Sequence, residues 1–368
     1  MHKRFPQSLL SAYLDTAAEG LPPAESANAL QQYFAHKASG SPGREPIYEM
    51  QRTVESSAAH LMGVSPDSVT LLASASDALN LLANSIAWRE GDEVLLIDLE
   101  FPSNVVAWLR LQRFGVRVRV ISTNDGVVSL DDFTSHINSR TRLVSVSAVS
   151  YKTGTRIPFL PEVAKAAHGH GAYFCVDATQ ALGRVPVPLD GVDYMVASSY
   201  KWLLGTHGLG VTYVSSSLRD TVNPGAVGWY SVEDVFHDRR FETFSWKPGA
   251  AGLLSGMPNV PAIFALKSGL DVLLETGVEK IDQSLRPLME ELRRGVAHLG
   301  LTVLTPSDPE FRSGILSFAH SHPRELALAL KEAGVVVWGG DGRVRASVHL
   351  YNSEPDIARY LDQLRRLV

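Results

Sequence analysis

Hydrophobic and polar positions follow two alternating periods over residues 48–215. Segments with apolar residues at helical spacing, such as 48–62, precede short apolar runs typical of buried strands, such as "EVLLIDL". Gly63 and Gly115 mark the ends of two of the helical segments. Strands that alternate with helices predict an α/β fold in which helices cover both faces of a mostly parallel sheet.

The pattern changes in the C-terminal third of the chain. Long amphipathic helices are predicted over 262–277 and 281–300, and short strands with one more helix complete a smaller α+β unit. A loop-rich run, 216–258, joins the two parts. The predicted organisation is an N-terminal segment that packs on the small domain (1–40), a large ligand-binding domain (41–258) and a small C-terminal domain (259–368).

Composition narrows the class of protein. The net charge of -5 argues against a nucleic-acid-binding surface. No apolar run is long enough to span a bilayer, and the N-terminus lacks the features of a signal peptide. The single cysteine, Cys175, excludes an internal disulfide, and the twelve histidines show no metal-ligand spacing. We therefore expect a cytoplasmic protein with no bound metal, no membrane contact and no nucleic-acid partner.

Chemically active residues follow the predicted strands at their carboxyl ends, where ligands collect in such sheets. Asp177 ends one strand, Ser198 and Lys201 follow another, and Ser76 stands where a helix begins. An aldehyde cofactor that forms carbanions from amino acids needs a lysine for a Schiff base and a carboxylate for its pyridine nitrogen. It also needs a phosphate site, for which a helix N-terminus is suited. Each residue alone is a common structural device, but together they predict such a cofactor site.

At these residues the sequence resembles the class V aminotransferase family of pyridoxal-phosphate enzymes. That family includes cysteine desulfurases, selenocysteine lyase, isopenicillin N epimerase and kynureninase. The resemblance runs from "YLDTAA" at 13–18 to "RASVHLYNSEPDI" at 345–357, which is nearly the whole chain. It implies the fold type I of pyridoxal-phosphate-dependent transferases, pyridoxal 5'-phosphate as the cofactor of the large domain, an amino-acid substrate and a homodimer.

The resemblance also implies roles for individual residues at the cofactor ring. "VDATQALG" matches the family's Asp-x-x-Gln segment, so Asp177 would partner the pyridinium and Gln180 would donate to the ring hydroxyl oxygen. "SSYK" matches the Schiff-base segment, which makes Lys201 the internal aldimine.

Phosphate and substrate contacts follow from the same resemblance. Arg345 inherits the substrate carboxylate, with Arg343 as the alternative, because a guanidinium can bind a carboxylate through two hydrogen bonds. Phe101 holds the position that stacks on the ring, and Tyr151 lies near cofactor and substrate. The residues that match phosphate contacts are Ser76, the backbone around Ala75, Ser198 and Tyr200.

Three departures from the desulfurase pattern influence the functional expectation. Desulfurases carry histidine where this chain has Phe101, and many relatives carry a phosphate-binding threonine where it has Met257. They also carry a reactive cysteine shortly before the position of Arg345, where "VVVWGGDGRVR" has none. Cys175 is expected inside a strand beneath the ring, where a thiol is usually inert.

These departures predict that the chain is not a persulfide-forming cysteine desulfurase. Amino transfer through Lys201 is the leading expectation, followed by cleavage of a Cβ–S or Cβ–C bond and then by epimerisation. A non-catalytic cofactor-binding sensor is the alternative from another class. The combination of Lys201, Asp177 and Arg345 opposes it, because a scaffold has no need of an electron sink. His207, close to Lys201 in sequence, is a lesser acid–base candidate.

Overall fold

The structure is a computed structural model that describes residues 3–368. Its α-helices are α1 (Glu25–Ala38), α2 (Arg44–Met62), α3 (Ala75–Ser85), α4 (Ser103–Leu109), α5 (Leu130–His136), α6 (Leu160–Gly169), α7 (Ser216–Arg219), α8 (Val260–Thr276), α9 (Val278–His298), α10 (Pro323–Glu332) and α11 (Glu354–Leu367). Short 3-10 helices cover Pro6–Leu9, Ser41–Gly43, Pro66–Ser68, Arg110–Phe114, Gly249–Leu253 and Pro309–Phe311.

The strands form three sheets. They are β1 (Ala12–Tyr13), β2 (Val69–Leu72), β3 (Glu93–Ile97), β4 (Arg117–Ile121), β5 (Thr141–Ser147), β6 (Tyr173–Asp177), β7 (Tyr194–Ser198), β8 (Gly210–Val214), β9 (Ile315–Ala319), β10 (Val335–Val336), β11 (Trp338–Gly340) and β12 (Arg343–Ser347). The main sheet has the order β2-β8-β7-β6-β5-β3-β4, and only β8 runs against its neighbours. The mixed, mostly parallel sheet that the alternating pattern predicted is therefore confirmed.

Helices and apolar side chains cover both faces of this sheet. Strand β5 shows why, because its successive residues alternate between two hydrophobic clusters. Val144 and Val146 pack in one cluster, and Leu143 packs in the other together with Cys175 of β6. A strand that is apolar on both sides cannot lie at the surface, so β5 and β6 form the centre of the sheet.

One predicted helix differs from the structure in its second half. The helical segment that was predicted to end at Gly115 has two parts, because α4 ends at Leu109 and a 3-10 helix continues to Phe114. Gly115 then adopts a left-handed backbone conformation with a φ of 77°. The tighter helix satisfies the last backbone groups before the chain turns into β4.

The C-terminal part carries its own antiparallel sheet, in the order β11-β12-β9. The N-terminal segment reaches this part, since β1 pairs in parallel with β10 and Asp15 forms an isolated bridge with Ser347. No helix among residues 3–368 combines the length and the apolar character that crossing a membrane would require.

Candidate active site

A cleft lies at the carboxyl ends of β5, β6 and β7, beside the N-terminus of α3. Its empty volume, which includes space open to solvent, is about 550 Å³. The residues that line it are Ser74, Ala75, Ser76, Phe101, Ser103, Ser147, Val149, Tyr151, Asp177, Thr179, Gln180, Ser198, Tyr200 and Lys201. The structure thus brings together every residue for which a cofactor contact was predicted.

Lys201 stands in a tight turn directly after β7. The Leu204 amide donates to the Lys201 carbonyl, and Leu204 adopts a left-handed backbone conformation that closes the turn. On the other side, the Gly20 amide donates to the Tyr200 carbonyl at 2.8 Å. A Cβ on Gly20 would lie 1.9 Å from the Lys201 oxygen, so only glycine allows this close approach. The backbone of Lys201 is therefore held from both sides.

The Lys201 side chain is buried in the cleft. Its Nζ lies 5.4 Å from the centre of the Phe101 ring and 5.6 Å from that of Tyr200. Burial and the charge of Arg345 lower the pKa of Lys201 to about 8, although Asp177 works in the opposite direction. A lysine with so low a pKa has an appreciable neutral fraction near physiological pH, as a nucleophilic amine requires.

Asp177 is the last residue of β6 and is buried. One of its oxygens, Oδ1, accepts a hydrogen bond of 2.9 Å from the Thr179 amide. The Thr179 hydroxyl in turn accepts from the Ser198 amide at 3.1 Å, which joins the ends of β6 and β7. Burial raises the pKa of Asp177, against the hydrogen bonds from Thr179 and the charge of Lys201. A cationic partner in the cleft would therefore stabilise the charged form of this carboxylate.

Gln180 is oriented by two neighbours. Its Nε2 donates to the Ala17 carbonyl at 2.9 Å, and its Oε1 accepts from the Trp202 indole at 2.8 Å. Because Nε2 carries two hydrogens, one N–H remains for a group in the cleft.

The other end of the cleft has the features of an anion site. Helix α3 begins there, and the Ser74 hydroxyl caps it by accepting from the Asp77 amide at 3.0 Å. The Ser76 hydroxyl lies 2.8 Å from that of Ser103, which opens α4. Gly210 of β8 packs against this loop, where a Cβ would lie 2.9 Å from the Ser74 carbonyl carbon. Free N–H groups, the helix dipole and hydroxyls converge here, as a phosphate requires.

Two lining residues at this end were not predicted as phosphate contacts. They are Ser74, which caps α3, and Ser103. The available signal for Ser103 was its place at the start of a helix that follows a strand of the same sheet.

Arg345 lies next to the cleft but is not among its lining residues. It belongs to β12 and is buried, and its Nη1 donates to the Tyr151 carbonyl at 3.0 Å. Its Nη2 lies 3.7 Å from Oδ1 of Asp15. Burial lowers the pKa of Arg345 to about 10, and burial raises the pKa of Asp15 to about 6 against the charge of Arg345. Asp15 is a partner of Arg345 that the sequence did not reveal.

Two aromatic rings cover the cleft near this arginine. The Phe101 and Tyr151 rings meet edge to face, with centroids 5.0 Å apart. Phe101 remains partly exposed and lines the cleft, so part of its ring is accessible to a ligand there.

Glu100 is a buried neighbour of the site that sequence reasoning missed. Its Oε1 accepts from the Ser147 amide at 2.8 Å, and its Oε2 accepts from the Ser147 hydroxyl and the Asn104 amide group. Burial raises the pKa of Glu100 to about 7, against these hydrogen bonds. The charge of Asp177 acts in the same direction as burial, so the two carboxyls influence each other.

Three residues noted in the sequence lie outside the cleft lining. Cys175 is buried within β6, and burial raises the pKa of its thiol far above the usual value. His207 is exposed, stacks on Tyr200 and lies 2.5 Å from a carboxylate oxygen of Glu19. Met257 is partly exposed, on the loop before α8.

Comparison with known proteins agrees with this geometry. The sequence profile described as aminotransferase class-V matches residues 12–360. The chain belongs to this family. Its members use pyridoxal phosphate, so the predicted family, cofactor and class of enzyme are confirmed.

Curated relatives of the chain extend over nearly its whole length. A probable cysteine desulfurase of Methanothermobacter thermautotrophicus is 28% identical over 94% of this chain and 92% of the relative. A cysteine desulfurase of Klebsiella pneumoniae is also 28% identical, over 96% of this chain and 93% of the relative.

Solved structures share the fold. A cysteine desulfurase from Thermococcus onnurineus superposes with a TM-score of 0.92 at 24% identity and covers 100% of this chain and 97% of its own. A cystine C–S lyase in complex with its reaction product cysteine persulfide has a TM-score of 0.90 at 23% identity, covering 98% and 99%. The predicted fold type I architecture is thereby confirmed.

The functional expectation from the sequence was wrong. It ranked amino transfer first and excluded a desulfurase, whereas the curated relatives include named cysteine desulfurases along the whole chain. The exclusion rested on a missing cysteine and on Phe101. The thiol that accepts the sulfur can belong to another molecule, so the missing cysteine in this chain does not exclude cleavage of the carbon–sulfur bond. Cleavage depends on the lysine, the carboxylate and the cofactor, and the cleft retains the groups for all three.

Proposed function

We propose that this protein is a pyridoxal-phosphate enzyme that removes sulfur from L-cysteine or a closely related sulfur amino acid. The observation that carries the proposal is the convergence of Lys201, Asp177 and the N-terminus of α3 in one cleft. The similarity to named cysteine desulfurases over more than nine-tenths of the chain supports the reaction class.

Each part of the cleft would hold a different part of the cofactor. The N–H groups at the start of α3, with Ser76, Ser198 and Tyr200, would bind the phosphate. Asp177 would hold the proton on the ring nitrogen, and that positive charge would offset the cost of burying the carboxylate. These assignments follow the family resemblance and the positions of the side chains.

The remaining ring contacts involve three side chains. Gln180 would donate its second N–H to the ring oxygen, and Phe101 would stack on the ring face. Lys201 would hold the aldehyde carbon.

Pyridoxal phosphate, when bound, supplies a ring that accepts the electron pair left at Cα. Lys201 is the group placed to take the Cα proton, since the low pKa of its amine allows it to act as a base near neutral pH. Arg345 would bind the substrate carboxylate, next to Tyr151. An acceptor thiolate would attack the substrate sulfur, so that the S–S bond of a persulfide forms as the Cβ–S bond breaks. The electron pair of the broken bond would stay on the carbon skeleton, which would leave as alanine after protonation.

A product analysis tests this proposal. Holoenzyme is incubated with L-cysteine and dithiothreitol, and alanine and sulfide are quantified in the same samples. We expect the two products in equal amounts, and none from L-serine, which carries oxygen in place of sulfur. Lys201→Ala should lose the reaction. Pyruvate with ammonia in place of alanine, or an oxo acid with an aminated cofactor, would contradict the proposal.

We further propose that the protein works as a homodimer in the cytoplasm. Large aromatic side chains are exposed in the loop that precedes α8, among them Phe236, Phe241 and Trp229. Exposed apolar clusters of this kind mark association surfaces. The single, unpaired cysteine fits a reducing compartment.

A further inference from the structure

Two arginines lie side by side next to the cleft. Arg343 and Arg345 are separated by one residue of β12, so both side chains project from the same face of the strand. Both are buried, with exposed fractions of 1% and 4%. Their guanidinium carbons lie 4.8 Å and 5.2 Å from the centre of the same Trp338 ring.

Their hydrogen-bonding capacity is not used up. Among the described residues, Nε and Nη2 of Arg343 and Nε of Arg345 have no hydrogen-bond partner. Arg343 donates hydrogen bonds only from Nη1, to the side chain and the carbonyl of Asp341. Buried guanidinium N–H groups are almost always paired, so those left over indicate that a ligand completes the set.

The protein supplies little negative charge to balance this pair. Asp341 is largely exposed, so water screens its interaction with Arg343. Asp15 approaches Arg345 only at 3.7 Å. Each of these adjacent buried cations thus has only one carboxylate nearby, which is exposed in one case and distant in the other. Such a pair favours the binding of an anion.

Tyr151 connects the arginines to the cleft. Its ring lies 5.3 Å from the guanidinium carbon of Arg343, and its carbonyl accepts from Arg345. The same residue lines the cleft with Lys201 and is only half-buried. A substrate bound at Lys201 could therefore reach both arginines when the Tyr151 side chain turns aside.

We propose that Arg343 and Arg345 bind two oxyanions of one substrate. Arg345 takes the α-carboxylate, and Arg343 takes a second carboxylate at the end of the side chain. The favoured substrate is then a sulfur amino acid whose sulfur bears a short chain that ends in a carboxylate. This inference rests on the proposed function for the reaction at the Cβ–S bond, but not for the binding preference.

The spacing of the two positions along β12 is comparable to the length of such a molecule. Alternate residues of a strand are roughly 6.6 Å apart along the chain. A Cα–Cβ–S–CH2 link between two carboxylates spans a comparable length when extended.

The experiment compares two ligands that differ only in charge. S-carboxymethyl-L-cysteine and S-carbamoylmethyl-L-cysteine have nearly the same shape, but only the first has a second carboxylate. Dissociation constants for the holoenzyme are measured from the change in cofactor absorbance and by calorimetry. We expect the carboxylate to bind at least about tenfold more tightly than the amide, as a charge-assisted pair at a buried guanidinium would provide.

Variants assign the preference to one arginine. Arg343→Gln should bring the ratio of the two constants near one, while Arg343→Lys should keep part of the preference. Arg345→Gln should weaken both ligands by a similar factor. Because the ratio compares two ligands on one protein, a general loss of stability in a variant cancels.

Three results would overturn the inference. They are equal affinities in the unsubstituted protein, a ratio that survives Arg343→Gln, or a loss of both ligands in Arg343→Gln with Arg345→Gln unaffected. Sulfide release from L-cysteine is measured in parallel. If the affinity ratio depends on Arg343 but no sulfur is released, the anion pocket is supported and the proposed reaction is refuted. If sulfur is released but the two ligands bind equally well, the proposed reaction is supported and the anion pocket is refuted.

Discussion

At the scale of single residues, the site owes its properties to burial of ionisable groups. Lys201, Asp177 and Glu100 are all buried around one cleft. Burial lowers the pKa of Lys201 and raises the pKa of Asp177 and of Glu100, so it favours the neutral form of each group. Perturbed groups that cluster in this way are typical of active sites. The stability of the protein without cofactor should therefore depend on pH through these side chains.

Glu100 provides a prediction of that dependence. Its pKa is raised from 4.5 to about 7, so between these values the folded state binds more protons than the unfolded state. The stability contributed by this group is complete below pH 4.5 and is lost as the pH rises to about 7. Relative to Glu100→Gln, the wild-type free energy of unfolding should fall by roughly 3 kcal/mol across this window, at about 1.4 kcal/mol per pKa unit. Urea titrations from pH 4 to pH 8.5 measure the difference, and a constant difference would show that Glu100 titrates normally.

Cys175 leads to a prediction about reactivity. Its thiol is fully buried, and burial raises its pKa, so the thiolate that alkylating reagents attack is scarce and shielded. We expect iodoacetamide to modify Cys175 at least about a hundredfold more slowly in the native protein than in 8 M urea. Mass spectrometry of timed samples measures both rates, and rapid labelling of the native protein would disprove the buried assignment.

At the scale of elements, the anion site depends on how closely β8 approaches the start of α3. Gly210 pairs with Leu72 of β2 and with Ser198 of β7, so it lies under the loop that begins the helix. The helix N-terminus supplies the N–H groups, but the sheet determines where they point.

Gly210→Ala should therefore impair cofactor binding. The new Cβ would lie 2.9 Å from the Ser74 carbonyl carbon and 3.0 Å from the Ala75 amide nitrogen, so the loop must shift. We expect the dissociation constant of pyridoxal phosphate to rise roughly tenfold, or about 1.4 kcal/mol. Absorbance titration of the cofactor-free protein measures it. The control is Gly169→Ala, where an added Cβ has no atom within 4 Å and binding should not change.

At the scale of the whole molecule, the N-terminal segment joins distant parts of the chain. It pairs with β10 through β1, brings Asp15 to Arg345 and packs Gly20 against Lys201. The boundaries at residues 40 and 258 remain a prediction. Aromatic side chains are exposed in the loop that precedes α8, and the proposed dimer would bury them.

The proposed dimer can be tested on this loop. Phe236 and Phe241 are 84% and 88% exposed, and burial in a partner would remove this apolar surface from water. We expect light scattering to give twice the chain mass of 40.0 kDa and the double variant Phe236→Ser, Phe241→Ser to shift toward the monomer. Leu328→Ser, which changes an exposed side chain on α10, is the matched control. A monomeric wild type, or a dimer that the loop variant leaves intact, would refute the proposal.

Local patterns were sufficient to predict the elements and the cofactor. Period and length identified the strands and helices, because side-chain spacing along a strand or helix is fixed by backbone geometry. Strand-end positions located Asp177, Lys201 and Ser76, because parallel strands present their carboxyl ends at one edge of a sheet. The reaction was misjudged, since a missing cysteine and Phe101 were given more weight than the groups that the cleft retains.

Only the folded chain determined contacts between residues far apart in sequence. Asp15 lies near Arg345, and Glu100 accepts a hydrogen bond from Ser147. The hydroxyls of Ser103 and Ser76 are also hydrogen-bonded. These contacts form because separate segments converge at one sheet edge. No local period encodes such pairs. The pKa shifts likewise depend on how completely tertiary packing removes each group from water, which composition and spacing do not determine.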